Sequence, residues 1–240
     1  MKKIEKMMTR KKSFGILVAV FICCGLSSVA QEADALVKRV VDKLNTVSDY
    51  EARGKLKTDI PFIKLPESDV VVYYKRPDKY RIKKQEGISV VPKGGISFNV
   101  NALLSGNSYS VVGSGTGTVD GKRVQIIKLL PVSDTSDIIL STLYVDVQEA
   151  LIRRATTTTR NNGTYDMLFD YGKFARWGLP DKVIFSFSTK DFKLPKGVTL
   201  EYETDTKPPP AQQQKSQQGK LEISYSEYTI NKGVSDAVFR

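Results

Sequence analysis

The stretch Val70-Val71-Val72-Tyr73-Tyr74-Lys75-Arg76-Pro77-Asp78-Lys79-Tyr80-Arg81-Ile82-Lys83-Lys84 sets the pattern for the whole chain. Val70, Val72 and Tyr74 alternate with Val71, Tyr73 and Lys75, and Tyr80 and Ile82 alternate with Lys79, Arg81 and Lys83. A period of two sends successive side chains to opposite faces of a strand. The stretch therefore reads as two strands, each with one apolar face, joined by a turn at Arg76-Pro77-Asp78. Val72, Tyr74, Tyr80 and Ile82 fall on the shared inner face.

The same period recurs downstream. Val183, Phe185 and Phe187 alternate with Ile184, Ser186 and Ser188, which adds Phe185 and Phe187 to the inner set. Turn signals fall between such runs at Pro92-Lys93-Gly94-Gly95, Asp120-Gly121, Asn161-Asn162-Gly163 and Gly178-Leu179-Pro180. Asn162-Gly163, between Thr156–Arg160 and Tyr165–Phe169, is the strongest hairpin signal. The chain thus reads as mainly β, with about ten to twelve antiparallel strands, too many for one flat sheet without strong curling. Near the C-terminus Leu221, Ile223 and Tyr225 share one parity, whereas Tyr228 and Ile230 take the other. A bulge near Ser226-Glu227 would keep all five facing inward.

Upstream the period is helical. Leu36, Val37, Val40, Val41 and Leu44 form one stripe, with Lys38, Arg39, Asp42 and Lys43 off it. Before this helix, residues 1–13 are basic, Phe14 to Leu26 is a run of thirteen apolar residues, and Ser28-Val29-Ala30 is a small-residue cleavage site. This is the layout of a secretory signal peptide covering 1–30. As a helix the apolar run reaches only about 20 Å, too short to cross a bilayer core. One exported domain over 31–240 follows, with a low-complexity hairpin loop at 207–219 (three prolines, five glutamines) read as disordered.

Composition narrows the chemistry. The chain has 240 residues and a net charge of +11; six of the bases and one acid precede residue 31, so the remainder is mildly basic. Histidine is absent, and the only cysteines are Cys23 and Cys24. Ser-His-Asp, Cys-His and ordinary zinc chemistry are excluded, and no cofactor or metal site is expected. Asp166 and Asp170, four apart on a strand, lie roughly 13 Å apart, too far for a glycosidase pair. Gly113-Ser114-Gly115-Thr116-Gly117 lacks a following helix and reads as a flexible hairpin loop rather than a nucleotide-binding turn. Lys75, Arg76, Lys79, Arg81, Lys83 and Lys84 read as a solvated outer face, because most take the polar parity of their hairpin; nucleic acid is not an expected partner.

The run Leu36-Val37-Lys38-Arg39-Val40-Val41-Asp42-Lys43-Leu44 followed by Val47-Ser48-Asp49-Tyr50 resembles the opening helix and first strand of the periplasmic lipoprotein carrier family LolA. The order of later segments is similar as well: Tyr73 to Arg81, Asn101-Ala102-Leu103-Leu104-Ser105-Gly106, Leu143-Tyr144-Val145-Asp146, Leu179-Pro180 and Tyr228-Thr229-Ile230-Asn231. The resemblance implies a strongly curved antiparallel half-barrel, with the N-terminal helix and a short lid helix closing its open side. It implies a non-enzymatic, monomeric carrier in the periplasm. Its partners would be lipid or lipoprotein acyl chains, with membrane-bound donor or acceptor proteins. Val72, Tyr74, Tyr80, Ile82, Phe185 and Phe187 would line the cavity. The family's lid-holding arginine carries over to Arg76, which would latch the segment bearing Leu103 and Leu104. Two other readings stay open: a periplasmic envelope sensor of the same fold, and a carbohydrate-binding or structural β-module.

Overall fold

The computed structural model describes residues 31–60, 63–64, 66–84, 100–104, 108–188 and 218–240. The expected signal peptide, the turn at 92–95 and residues 207–217 lie outside the described residues. Helix α1 covers residues 31–44. Its stripe is buried as the spacing requires, with Leu36, Val37, Val40 and Leu44 at 3–5% exposure and Val41 packed at the margin. Burying a Leu or Val side chain is worth about 1.5–3 kcal/mol, so tertiary packing holds this helix in place.

Among the described residues eleven strands follow: β1 (Asp49–Ile60), β2 (Ile63–Lys64), β3 (Ser68–Lys75), β4 (Lys79–Lys84), β5 (Tyr109–Val119), β6 (Lys122–Pro131), β7 (Ile138–Asp146), β8 (Leu151–Thr159), β9 (Gly163–Asp170), β10 (Lys182–Ser188) and β11 (Gln218–Ile230). Helix α2 (Val100–Leu104) lies between β4 and β5. The strands form one antiparallel sheet in the order β4-β3-β1-β11-β10-β9-β8-β7-β6-β5, with β2 paired beside β1. The two ends of this order do not pair, so the sheet is an open half-barrel.

The bulge expected from the parity switch is present. Arg53 pairs with Glu227 but Gly54 pairs with Tyr225, leaving Ser226 as the extra residue. Ile223, Tyr225 and Tyr228 are buried on one face, and Leu221 and Ile230 pack beside them. Gly54 is required at this crossing: a Cβ there would stand 2.4 Å from the carbonyl oxygen of Ser224, a backbone atom that has no room to give.

Local turn chemistry explains the hairpins. Asp120 and Gly121 both take positive φ, 47° and 74°, the geometry of a tight turn that matches strand twist, and join β5 to β6. Gly163 at φ 67° opens β9 after the turn at residues 161–162. The segment Gly113–Gly117 departs from expectation. It is not a hairpin loop but the middle of β5, whose register shifts between Gly113 and Thr116 around Gly115 at φ 99°. Glycine-rich composition mimics a loop, yet an edge strand tolerates it where a bulge needs positive φ. At the other gap, Gln218 and Gly219 belong to β11 rather than to the loop expected over 207–219.

Candidate functional site

The strands place the expected cavity residues on one face. Val72, Tyr74, Ile82, Phe185 and Phe187 are buried, Tyr80 is half-buried, and all six belong to a single hydrophobic core. Phe185 packs 5.0 Å from the Tyr165 ring and 5.5 Å from Phe187. Gly219, opposite Phe187 in the β10–β11 pair, leaves the space that ring fills, since a Cβ there would meet it at 2.6 Å. Tyr74 and Tyr80 stand at the other end of this surface, beyond β11 and β1.

There the structure assembles a group that the strand parities only partly anticipated. Tyr50, Tyr74 and Tyr80 lie in one row across β1, β3 and β4. Tyr225 and Tyr228 reach the same region from β11 because the bulge restores their facing. Ring centroids are 5.2 Å apart for Tyr50–Tyr74, 5.3 Å for Tyr50–Tyr228 and 5.1 Å for Tyr225–Tyr228. The Tyr228 hydroxyl donates to the carbonyl of Pro180 at 2.8 Å. The Tyr80 hydroxyl is buried and near enough to Tyr225 for each to affect the other's ionisation. It nevertheless has no partner at hydrogen-bonding geometry among the described residues. Burial holds every phenol of the group in its neutral form: Tyr74 and Tyr225 are pushed up to about 12, and Tyr50, Tyr80 and Tyr228 well above the ordinary value. Tyr50 was visible beforehand only as part of a family-like segment, although its alternation with Asp49 and Glu51 marks the same parity.

Two helices cover this face. The stripe of α1 joins the core from one side, and α2 contributes buried Val100 and Leu103 and half-buried Leu104. Polar ties hold the C-terminal half of α1 and the turn that follows it. Arg39 donates to the carbonyls of Val147 at 3.0 Å and Gln148 at 3.1 Å in the β7–β8 turn, and Lys43 donates to Glu149 beside them. Partial burial lowers the Lys43 ammonium, against the opposing pull of Glu149. In the turn after α1, Arg76 Nη1 donates to the carbonyl of Asn45 at 3.0 Å, and Asn231 Nδ2 donates to the carbonyl of Thr46 at 2.9 Å. The described partner of Arg76 is thus the turn after α1, whereas the expected latch to residues 101–106 falls partly on 105–106, outside the described residues.

An open antiparallel half-barrel with helices laid over its inner face has counterparts among solved structures. The chain superposes on a LolA superfamily protein from Nitrosomonas europaea with a TM-score of 0.53 and 9% identity, over 85% of this chain and 96% of that one. The fold is LolA-like. A domain from Vibrio parahaemolyticus described as an outer membrane lipoprotein-sorting protein gives a TM-score of 0.53 at 8% identity, covering 88% and 97% of the two chains. A DUF1329 family protein from Desulfovibrio piger gives 0.55 at 13%, again over 88% and 97%. No protein-family model and no curated relative matches the sequence.

Two features lie outside the LolA-like inner face. A surface cleft of about 490 Å³ runs between α1, the β7–β8 turn and the 3-10 turn Ala175–Trp177, with Arg39, Lys43, Glu149 and Arg176 in its wall. Of its bases, Arg39 and Lys43 are engaged with the β7–β8 turn, and Arg176 lies over the Trp177 ring, 5.1 Å from its centroid. The basic face of the β3–β4 hairpin is also engaged, which corrects the expectation of a merely solvated surface. Lys75 and Lys79 both meet Asp236, at 3.0 and 2.9 Å, and Arg81 donates to the carbonyls of Val238 and Arg240. The 3-10 turn Asp236–Phe239 is therefore docked on the bases. Strand parity cannot reveal a partner 157 residues away. Among the described residues no helix is long and apolar enough to cross a membrane.

Proposed function

We propose that this chain is an exported, non-enzymatic carrier that holds lipid or lipoprotein acyl chains against the inner face of its half-barrel. One observation carries the reading: the apolar concave surface from Tyr80 to Phe187 is covered by two helices rather than by a second sheet. A sheet lid would need a ladder of hydrogen bonds to form and break, whereas a helix satisfies its own backbone and can lift as a unit. Alkyl chains entering beneath it gain about 0.8 kcal/mol for each methylene removed from water. Export is supported by the basic, apolar and small-residue layout of residues 1–30. The lipoprotein-sorting description of one structural counterpart agrees with this assignment. Purification from the native host followed by mass spectrometry of the organic extract tests it. Acyl-bearing species at a near-stoichiometric ratio are expected, and a lipid-free protein that also fails to take up a fluorescent fatty acid would overturn the reading.

A further inference from the structure

The tyrosine group at the β4 end of the inner face has a chemistry that an alkyl chain does not need. Tyr50, Tyr74, Tyr80, Tyr225 and Tyr228 bring five phenolic hydroxyls into an otherwise apolar region. Tyr228 is committed to Pro180, but the Tyr80 hydroxyl, close to Tyr225, is buried with no partner at hydrogen-bonding geometry among the described residues. A buried donor left unmade is costly, and native structures keep one only where something else satisfies it. Building on the carrier reading, we propose that this cluster seats the uncharged carbonyl of an ester- or amide-linked acyl chain, with the Tyr80 O–H as the donor to it.

The choice of an uncharged acceptor follows from the surroundings. The groups acting electrostatically on Tyr80 are the other tyrosines, Tyr225, Tyr50 and Tyr228, all neutral. Tyr228 feels the carboxylate of Asp181, which would repel an anion brought beside it. The cation acting on Tyr74, Arg76 at the turn, spends its guanidinium on Asn45. A free carboxylate here would be desolvated without a counter-charge, which apolar sites reject. A carbonyl oxygen asks only for a donor. Because β4 is an open edge of the sheet, the seat lies at the rim, with the apolar surface running away from it toward Phe185 and Phe187. That arrangement suits a molecule with one polar linkage and a long tail.

The test compares three probes on the purified full chain: the methyl ester of cis-parinaric acid, the free acid, and the pure hydrocarbon diphenylhexatriene. Wild type is expected to bind the ester more tightly than the acid at pH 8. Tyr80→Phe should weaken the ester about five- to tenfold, the worth of one hydrogen bond, and leave the hydrocarbon unchanged. Because the substitution removes an unsatisfied hydroxyl, the variant's melting temperature should equal or exceed that of wild type, which separates a lost seat from a damaged fold. Tyr225→Phe, which keeps the Tyr80 hydroxyl, should retain more of the ester affinity than Tyr80→Phe and so separates loss of the donor from disturbance of the cluster. Equal ester affinity in wild type and both variants, with the hydrocarbon still bound, overturns the seat and leaves the carrier reading standing. Preference for the free acid overturns the uncharged class. Failure of wild type to bind any probe overturns the carrier reading and the seat together.

Discussion

Arg76 donates from Nη1 to the carbonyl oxygen of Asn45 over 3.0 Å, so the turn of the β3–β4 hairpin holds the loop that ends α1. The same turn is bonded through its backbone, Arg76 N to the carbonyl of Ser48 at 2.9 Å. One exposed side chain thus ties the covering helix to the rim of the sheet. Exposure keeps the contact weak, at about 1 kcal/mol or less once solvent screening is counted. Arg76→Leu should leave the global unfolding free energy within about 1 kcal/mol of wild type while increasing amide exchange at residues 41–46. Unchanged exchange there would show that the guanidinium restrains nothing.

Phe185 is fully buried between Tyr165 and Phe187. Truncation to Ala should cost about 3–5 kcal/mol in denaturant unfolding, from lost burial and the cavity left behind. Phe185→Leu should recover most of that loss.

Gly54 sits where β1 crosses the bulge, with the Ser224 carbonyl oxygen 2.4 Å from the place a Cβ would take. Gly54→Ala should destabilise by about 1–3 kcal/mol, because only the backbone of β11 can move aside. Gly117→Ala is the control, since its nearest neighbour is the end of the Ile126 side chain at 3.4 Å, an ordinary contact. Similar melting temperatures for both variants would contradict the crossing geometry.

Lys79 and Lys75 hold the Asp236 carboxyl down to about 2 from an ordinary value of 3.8. A carboxyl lowered in the folded state contributes stability that is fully present above its ordinary value and fades as pH falls toward 2. The docked turn Asp236–Phe239 should therefore loosen between about pH 4 and pH 2, followed by the amide resonances of residues 236–239. Asp236→Asn should show the loosened spectrum already at pH 7.

The buried phenols predict the opposite wing. Their ionisation is raised, so the stability they represent is intact below about pH 10 and is lost as pH climbs above it. Of the eleven tyrosines, those at 50, 80 and 228 should not contribute to the ultraviolet phenolate signal until the protein unfolds. A smooth titration of all eleven in the folded state would place them at the surface.

Much of this fold was legible in local sequence. The period of two located the strands around Val72 and Phe185, the stripe from Leu36 to Leu44 located α1, and the change of parity between Tyr225 and Tyr228 located the bulge. These features are written in neighbouring residues. What was illegible depends on residues far apart. The glycines of 113–117 look like a loop because composition does not report that β6 supplies a partner strand. The bases of the β3–β4 hairpin look solvated because Asp236 lies 157 residues on. The tyrosine cluster falls between these cases: each parity could be read, but that five rings converge follows only from β1 lying between β3 and β11.

That position of β1 bears on how the molecule is made. β1 pairs over ten residue positions with β11, the last of the described strands, Tyr50 opposite Ile230 and Asp59 opposite Lys220. Without β11 the described strands fall into two ladders, β2 and β4-β3-β1 on one side and β10 through β5 on the other, with no strand pairing between them. Synthesis runs from β1 toward β11, so the strands between them are made before β1 meets that partner. Pairings between distant parts of a chain are slow to form. The topology therefore delays commitment of the full sheet until β11 joins, so removal of β11 should split the sheet in two rather than leave a slightly smaller version of the same object.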